Sequence, residues 1–153
     1  MILLDTNVIS EPLKPNGDPA VAAWIDAQVL ETLYLSTISV AEIRYGIAAL
    51  PEGKRKEGLR VNMDERVLPL FQSRILTFDI EAAEACAVVR VRARAAGKGI
   101  GTADSYIAAI AAAKGLTVAT RDTEPFKAAG VAVINPWEPV SAAGRARKAA
   151  TAP

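Results

Sequence analysis

Four acidic residues stand at positions from which their carboxylates could share one site, although they are far apart in the chain: Asp5, Glu42, Asp104 and Asp122. Like charges about 4 Å apart repel by about 4 kcal/mol at an effective dielectric constant near 20. Carboxylates gathered in one place therefore bind a cation or take up protons. Because the chain has no histidine and only 1 cysteine, the candidate ligands are hard oxygen atoms, which favour Mg²⁺ or Mn²⁺. Such a site suits hydrolysis of a phosphodiester, since the metal activates a water and neutralises charge on the phosphate oxygens.

The first and last of these acids follow predicted strands. Asp5 ends the apolar run 2–4, and Asp122 comes shortly after the apolar run 116–119. In an open parallel sheet, ligands bind beyond the carboxyl ends of the strands. Both acids are therefore expected at the ligand-binding edge of the sheet.

The other two acids are predicted in the first turns of helices. Glu42 follows Ser39, which is predicted to begin a helix, and Asp104 follows Thr102, which is predicted to cap a helix that continues to Lys114. The N-termini of helices that follow strands lie at the same edge as the strand ends. All four carboxylates are therefore able to meet there.

Each acid also has a purely structural interpretation. Ser39 and Glu42 fit a capping box, and Asp104 favours the dipole of its helix. Asp5 is a candidate N-cap for the segment after it, and Asp122 a candidate turn residue.

The rest of the chain predicts one α/β domain with a mainly parallel, twisted sheet and helices on both faces. Asp18 and Pro19 are predicted to begin a helix. Further strands are predicted at 33–35, 75–78 and 131–134, and a further helix at 54–68, ended or kinked by Pro69. Asp79 is predicted to cap a helix that ends near Gly97, with an inner face containing Ile80, Ala83, Ala87 and Val91. The domain is predicted to span 1–139, followed by a flexible basic tail at 140–153.

Composition excludes several classes of function. Without histidine, Ser-His-Asp and Cys-His hydrolases and His-ligated metals are excluded. The formal net charge of +1 gives no overall nucleic-acid footprint. We expect no membrane segment and no signal peptide, hence a cytoplasmic protein, with Cys86 a buried structural thiol.

Four stretches closely resemble the PIN-domain ribonucleases, in particular the VapC-type toxins and their FitB-like branch. They are ILLDTNVISE (2–11), STISVAEIRYG (36–46), ADSYIAAIAAAKGLTVATRD (103–122) and INPW (134–137). The resemblance covers about 1–139, and its motifs occur in the family's order and spacing. It implies the PIN fold and a Mg²⁺- or Mn²⁺-dependent endoribonuclease that acts as the toxin of a type II toxin–antitoxin pair.

The resemblance also implies roles for individual residues. The four metal-binding acids of the family correspond to Asp5, Glu42, Asp104 and Asp122. Asn7 and Thr6 are implied to order the site through hydrogen bonds, and Thr120 to hold a metal-bound water.

The sequence departs from the family pattern near the fourth acid. Many members carry a second Asp where this chain has Pro125, with Glu124 beside it. Asp122 is therefore our choice for the fourth ligand, with Glu124 as a candidate outer contributor.

Partners follow from the same resemblance. RNA is the implied substrate, transfer RNA being a common target of such toxins. A small cognate antitoxin is implied to occupy the acidic groove, and the toxin to form a homodimer and a higher assembly with the antitoxin. Two basic clusters are candidates for holding RNA, or else are solvated helix surfaces: Lys54, Arg55, Lys56 and Arg60, and Arg90, Arg92, Arg94 and Lys98.

Three other interpretations are weaker. A haloacid-dehalogenase-like phosphatase would use Asp5 as nucleophile, but it needs a second Asp where this chain has Asn7. A partner-binding module with a decayed site would not retain all four acids. The glycines Gly97, Gly99 and Gly101 lack the context of a P-loop or dinucleotide motif, so we interpret them as a hinge or close approach beside Asp104.

Overall fold

Five parallel strands form the sheet of this protein, in the order β3-β2-β1-β4-β5. The computed structural model describes residues 1–138. The strands are β1 (Ile2–Leu4), β2 (Leu33–Ser36), β3 (Ile75–Leu76), β4 (Thr117–Ala119) and β5 (Val133–Ile134). The predicted α/β class and parallel sheet are confirmed. The predicted basic tail, 140–153, lies outside the described residues.

The central strand β1 has both faces covered. Leu3 and Leu4 are each 0% exposed, and they belong to different core clusters. Successive side chains of a strand point to opposite faces, so each leucine packs under a different layer of helices. A strand covered on both sides reads as a continuous apolar run, which explains the opening residues of the chain.

Helices cover both faces, as predicted. One face carries α1 (Thr6–Ser10), α2 (Pro19–Asp26), α3 (Thr37–Ala48) and α5 (Leu68–Phe71), and α4 (Lys54–Asn62) packs against α3. The other carries α6 (Ile80–Ala95), α7 (Thr102–Lys114) and α8 (Thr123–Ala128). Among the described residues, no helix combines the length and apolarity needed to cross a bilayer.

Helix α3 begins earlier than predicted. Ser36, not Ser39, is its N-cap, and the Ser36 hydroxyl accepts a hydrogen bond of 2.9 Å from the Ser39 amide. The proposed capping box of Ser39 and Glu42 is therefore wrong. Glu42 lies in the second turn, too far along the helix to reach a cap.

The helical segment after residue 54 is interrupted before its proline. A π-helical turn, Met63–Val67, separates α4 from α5, and Pro69 lies in the first turn of α5. The Leu68 amide donates to the Met63 carbonyl, five residues back. Because proline has no N–H and tolerates only a first helical turn, the segment restarts there and runs on to Phe71.

The predicted inner face of α6 is wrong. Ile80 is 75% exposed and Val91 is 68% exposed. The buried face consists of Ala82, Cys86, Val89 and Ala93. These residues have the same helical spacing as the predicted set but lie on a different side of the helix. Cys86 is buried, as predicted.

Helix ends elsewhere follow their sequence signals. Asp18 caps α2 and Asp79 caps α6, each through a side-chain oxygen. Gly115 ends α7 in the left-handed conformation, with φ of 65°. Strands β3, β4 and β5 are shorter than predicted, because the residues beside them do not form ladder pairs with a neighbouring strand.

Candidate active site

Asp5 follows β1 directly and is 4% exposed. Its backbone N–H donates to the Ala119 carbonyl of β4 at 3.0 Å, which fixes Asp5 beside the neighbouring strand end. Its carboxylate also caps α1, with Oδ1 accepting a 2.7 Å hydrogen bond from the Thr6 amide. The capping interpretation is therefore correct for one oxygen of Asp5, and the other oxygen faces different partners.

The second oxygen of Asp5 accepts two side-chain hydrogen bonds. Thr120 Oγ1 donates to Oδ2 at 2.7 Å, and Asn7 Nδ2 donates to it at 3.0 Å. Asn7 Nδ2 also lies 3.2 Å from Thr120 Oγ1, and Asn7 Oδ1 accepts from the Arg121 amide at 3.2 Å. Asn7 and Thr120 thus hold Asp5 in place across two strands.

Thr120 is fully buried, and its only hydroxyl proton is donated to Asp5. The same hydroxyl accepts from the Asp122 amide at 3.1 Å. Thr120 therefore links the first acid to the backbone of the fourth. Its role in holding a metal-bound water, implied by resemblance, stays a prediction.

Glu42 reaches the same region from α3. Its Oε2 accepts a hydrogen bond from the Thr6 hydroxyl. Since Thr6 follows Asp5, this bond fixes Glu42 next to the end of β1. Ser39 supports the arrangement from one turn earlier, because its hydroxyl lies 3.4 Å from the Leu4 carbonyl.

Asp104 lies in the first turn of α7, as predicted, but Gly101 and not Thr102 is the N-cap residue. Gly101 also lies close to the acid: a Cβ at this position would stand 3.5 Å from Asp104 Oδ2. This is an ordinary van der Waals separation, so Gly101 adjoins Asp104 without an approach that would require glycine.

Asp122 occupies the N-cap position of α8, yet its side chain makes no capping hydrogen bond. The residue is exposed, and its carboxylate is free of that structural role. Glu124, the candidate outer contributor, is exposed and forms an ion pair of 3.3 Å with Lys127. Asp122 and Glu124 therefore differ: the Glu124 carboxylate is paired with a lysine, whereas the Asp122 carboxylate makes no capping hydrogen bond.

Two of the four acids have raised pKa values, and the charges of other acids of the set contribute to each shift. Burial raises the pKa of Asp5 to about 6, reinforced by the charges of Asp104 and Glu42 and opposed by hydrogen bonds from Thr120 and Thr6. Burial also raises the pKa of Asp104, and the charges of Glu42 and Asp122 add to the effect.

Within residues 1–138 none of these four acids takes part in an ion pair. A cluster of acids with this charge and no internal cation is chemically suited to bind a divalent cation. No group of three or more His, Cys, Asp or Glu side chains in the described part of the chain is already arranged to hold a metal ion. Mg²⁺ uses only one or two carboxylates and keeps several waters, so an open arrangement of oxygen donors is compatible with it.

Arg121 and Trp137 form a contact that the sequence did not predict. The Arg121 guanidinium lies over the Trp137 ring, 5.4 Å from its centroid. The Trp137 amide donates to Asn135 Oδ1 at 3.1 Å. The INPW motif therefore packs against Arg121, the residue before Asp122. The tryptophan of the motif is the sequence signal that could have predicted this contact.

The fold is that of the PIN domain, whose family model matches residues 2–131, and the chain belongs to this family. It is 59% identical over 138 residues to plasmid stability protein StbB of Pseudomonas syringae pv. tomato, covering 90% of this chain and 99% of that protein. It is 56% identical over 139 residues to the VapC ribonuclease Y4jK of Sinorhizobium fredii, covering 91% and 99%.

Toxin FitB of Neisseria gonorrhoeae is 55% identical over 137 residues, which cover 90% of this chain and 99% of that protein. The crystal structure of FitAcB from the same organism matches with a TM-score of 0.87 and 54% identity, covering 91% of this chain and 100% of the solved chain. The resemblance stated from the sequence motifs is thereby confirmed.

Proposed function

We propose that this protein is an endoribonuclease that hydrolyses RNA phosphodiester bonds with the help of Mg²⁺ or Mn²⁺, and that it is the toxin of a type II toxin–antitoxin pair. The observation that carries the proposal is the buried carboxylate of Asp5 at the end of β1, which Thr120 links to the backbone of Asp122 and which stands next to Thr6, the partner of Glu42. The similarity to a protein named VapC ribonuclease and to one named toxin FitB supports the same activity.

The cation would be held among Asp5, Glu42, Asp104 and Asp122, with one or two of these carboxylates as direct ligands and the others binding its waters. A bound divalent cation would lower the pKa of the attacking water and neutralise charge on the attacking and leaving oxygens. The chain itself offers no histidine as an alternative general base.

The surrounding residues orient the acids and partly offset the effect of burial on Asp5. Hydrogen bonds from Thr120 and the Thr6 amide lower the pKa of Asp5 against the effect of burial. Asn7 holds the same Asp5 oxygen, and the Thr6 hydroxyl holds Glu42. Because Asn7 is an amide, it lacks the acidic proton that a leaving group would need, which disfavours the phosphatase alternative.

The partners belong to the proposal. RNA is the substrate, with transfer RNA as one candidate, and a small antitoxin occupies the acidic groove. A cation from an antitoxin side chain, such as an arginine, would neutralise the same acids that bind metal. We infer a homodimer, a higher assembly with the antitoxin, and a cytoplasmic location, where RNA targets are found.

The direct test is RNA cleavage by the purified protein with added Mn²⁺, compared with the variants Asp5→Asn and Asp104→Asn. Each variant removes one acid while keeping side-chain size, so activity should fall by at least about 100-fold. Glu124→Gln is the matched control, since it removes one nearby carboxylate that is paired with Lys127. Equal cleavage by the wild type and both site variants would refute the proposal.

A further inference from the structure

A basic cavity of about 540 Å³ lies at the C-terminal end of α6. Three cationic side chains line it: Arg90, Arg94 and Lys98. Val91 and Ile100 give it an apolar part. All three cations are exposed, so an anion in solution is able to reach them.

The turn after α6 brings the third cation to the cavity. The Gly97 amide donates to the Arg94 carbonyl and the Lys98 amide donates to the Ala93 carbonyl, both at 3.0 Å. Gly97 has φ of 71°, which completes a Schellman motif. These bonds satisfy carbonyls at the end of the helix and turn the chain back, so that Lys98 and Arg94 line the same cavity.

The two basic clusters differ in how many of their side chains form ion pairs. The α4 cluster consists of Lys54, Arg55, Lys56 and Arg60, and the α6 cluster of Arg90, Arg92, Arg94 and Lys98. In the α4 cluster, Lys56 pairs with Glu52 at 2.6 Å, and Arg60 pairs with Glu57 at 2.6 Å. In the described part of the chain no carboxylate forms an ion pair with Arg90, Arg94 or Lys98. The charge of the α6 cluster is therefore available to an external anion, whereas that of the α4 cluster is partly neutralised.

The cavity adjoins the acidic site through a short loop. Gly99 and Ile100 line the cavity, and the next residue, Gly101, lies beside Asp104. An RNA strand entering the acidic site meets carboxylates that repel its phosphates. Positive charge in the cavity, which this short loop joins to the acidic site, would hold the neighbouring stretch of the strand.

We propose that Arg90, Arg94 and Lys98 bind a backbone phosphate of the RNA substrate next to the one that is cleaved. This inference rests on the proposed function and names the part of the substrate that the cavity takes. Guanidinium groups bind two phosphate oxygens at once, and a lysine ammonium adds a point charge. Val91 and Ile100 offer apolar contact to the adjoining sugar or base.

The test compares two variants of equal charge change. The site variant is Arg90→Gln, Arg94→Gln, Lys98→Gln; the matched control is Lys54→Gln, Lys56→Gln, Arg60→Gln. Each removes three positive charges, so a general effect of net charge is the same in both. Thermal unfolding of each variant checks that the fold is retained.

The first readout is binding of a short single-stranded RNA without added divalent cation, over a range of salt concentrations. Each lost phosphate contact lowers the slope of log K against log salt by about 0.7 for a single strand. Because the three cations are proposed to bind one phosphate, the site variant should lose about 0.7 from the slope and bind at least about tenfold more weakly. The control should change little. The second readout is cleavage with Mn²⁺, where the site variant should raise KM with little change in kcat.

The outcomes separate this inference from the proposed function. RNA binding that weakens only in the site variant supports the phosphate site even if the wild type cleaves no RNA. Cleavage by the wild type with the same KM and salt slope in the site variant and the control overturns the phosphate site and leaves the nuclease intact. A site variant that binds RNA normally but loses its antitoxin also overturns it, in favour of a protein interface.

Discussion

Replacing Asp5 by asparagine should make the metal-free protein more stable at neutral pH. The folded-state pKa of Asp5 is about 6, against 3.8 for an ordinary aspartate. This difference corresponds to about 3 kcal/mol of unfavourable free energy once the carboxylate ionises. Because the folded pKa is the higher one, the favourable state of Asp5 is fully present below pH about 4 and is lost as the pH rises through about 6.

The substitution Asp5→Asn removes the charge but changes the hydrogen bonds. The new side-chain amide would keep an acceptor for the Thr6 amide, but its N–H₂ would face the donors of Thr120 and Asn7, at a cost of about 1–2 kcal/mol. The net gain in the free energy of unfolding is therefore about 1–2 kcal/mol at pH about 7.5, and it should vanish or reverse near pH about 4.

Urea unfolding in EDTA, at intervals from about pH 4 to about pH 8, measures this difference between the variant and the wild type. Mn²⁺ at about 100 times its dissociation constant should then stabilise the wild type by about 2.7 kcal/mol and the variant far less. A variant that is less stable than the wild type at neutral pH without metal would show that Asp5 serves the fold through its charge, and the reasoning would be wrong.

Three further comparisons test separate contacts. Thr120→Val removes the donor to the first acid and should lower RNA cleavage about 10- to 100-fold with the fold retained, whereas Thr120→Ser should restore most of the activity; normal activity in the valine variant would contradict the positioning role. Gly17→Ala would place a Cβ 2.2 Å from the Glu11 carbonyl oxygen, so thermal denaturation should show a loss of about 1–3 kcal/mol; an unchanged melting temperature would show that the loop yields freely. Asp122→Asn should lower cleavage by at least about tenfold and Glu124→Gln by less than about twofold, because only the second is paired with a lysine; the opposite order would make Glu124 the fourth ligand.

The sheet edge that gathers the acids could be predicted from the sequence. Asp5 follows a strand that is covered on both faces, and Asp122 follows the neighbouring strand of the sheet. In a parallel sheet these two facts alone place both residues at one edge. What the sequence could not supply is the hydroxyl of Thr120 between them, because that contact depends on how two strand ends stand side by side.

The packing of α6 could not be predicted because apolar residues surround the helix. Ile80 and Val91 follow the same helical period as Ala82 and Ala93, so periodicity does not choose between the two faces. The tight approach of α6 to α7, which is rich in buried alanine, selects the face with small side chains. The face that carries Ile80 and Val91 therefore stays exposed to solvent.

The start of α3 was misplaced for a similar reason. Ser36 and Ser39 are both suitable caps, and they stand three residues apart. The end of β2 decides between them, because Ser36 is the last residue of that strand and has the extended backbone of an N-cap. Glu42 remains a site residue in the second turn, held by Thr6 rather than by a cap.

The chemistry of the cleaved RNA ends tests the central claim most directly. RNA cut by the wild type with Mn²⁺ in water enriched in ¹⁸O should carry linear terminal monophosphates with one ¹⁸O atom, since water is the nucleophile, and Asp104→Asn should yield none of them. Ends carrying a 2′,3′-cyclic phosphate without ¹⁸O, or equal yields from the two proteins, would contradict a site in which four carboxylates direct hydrolysis by water.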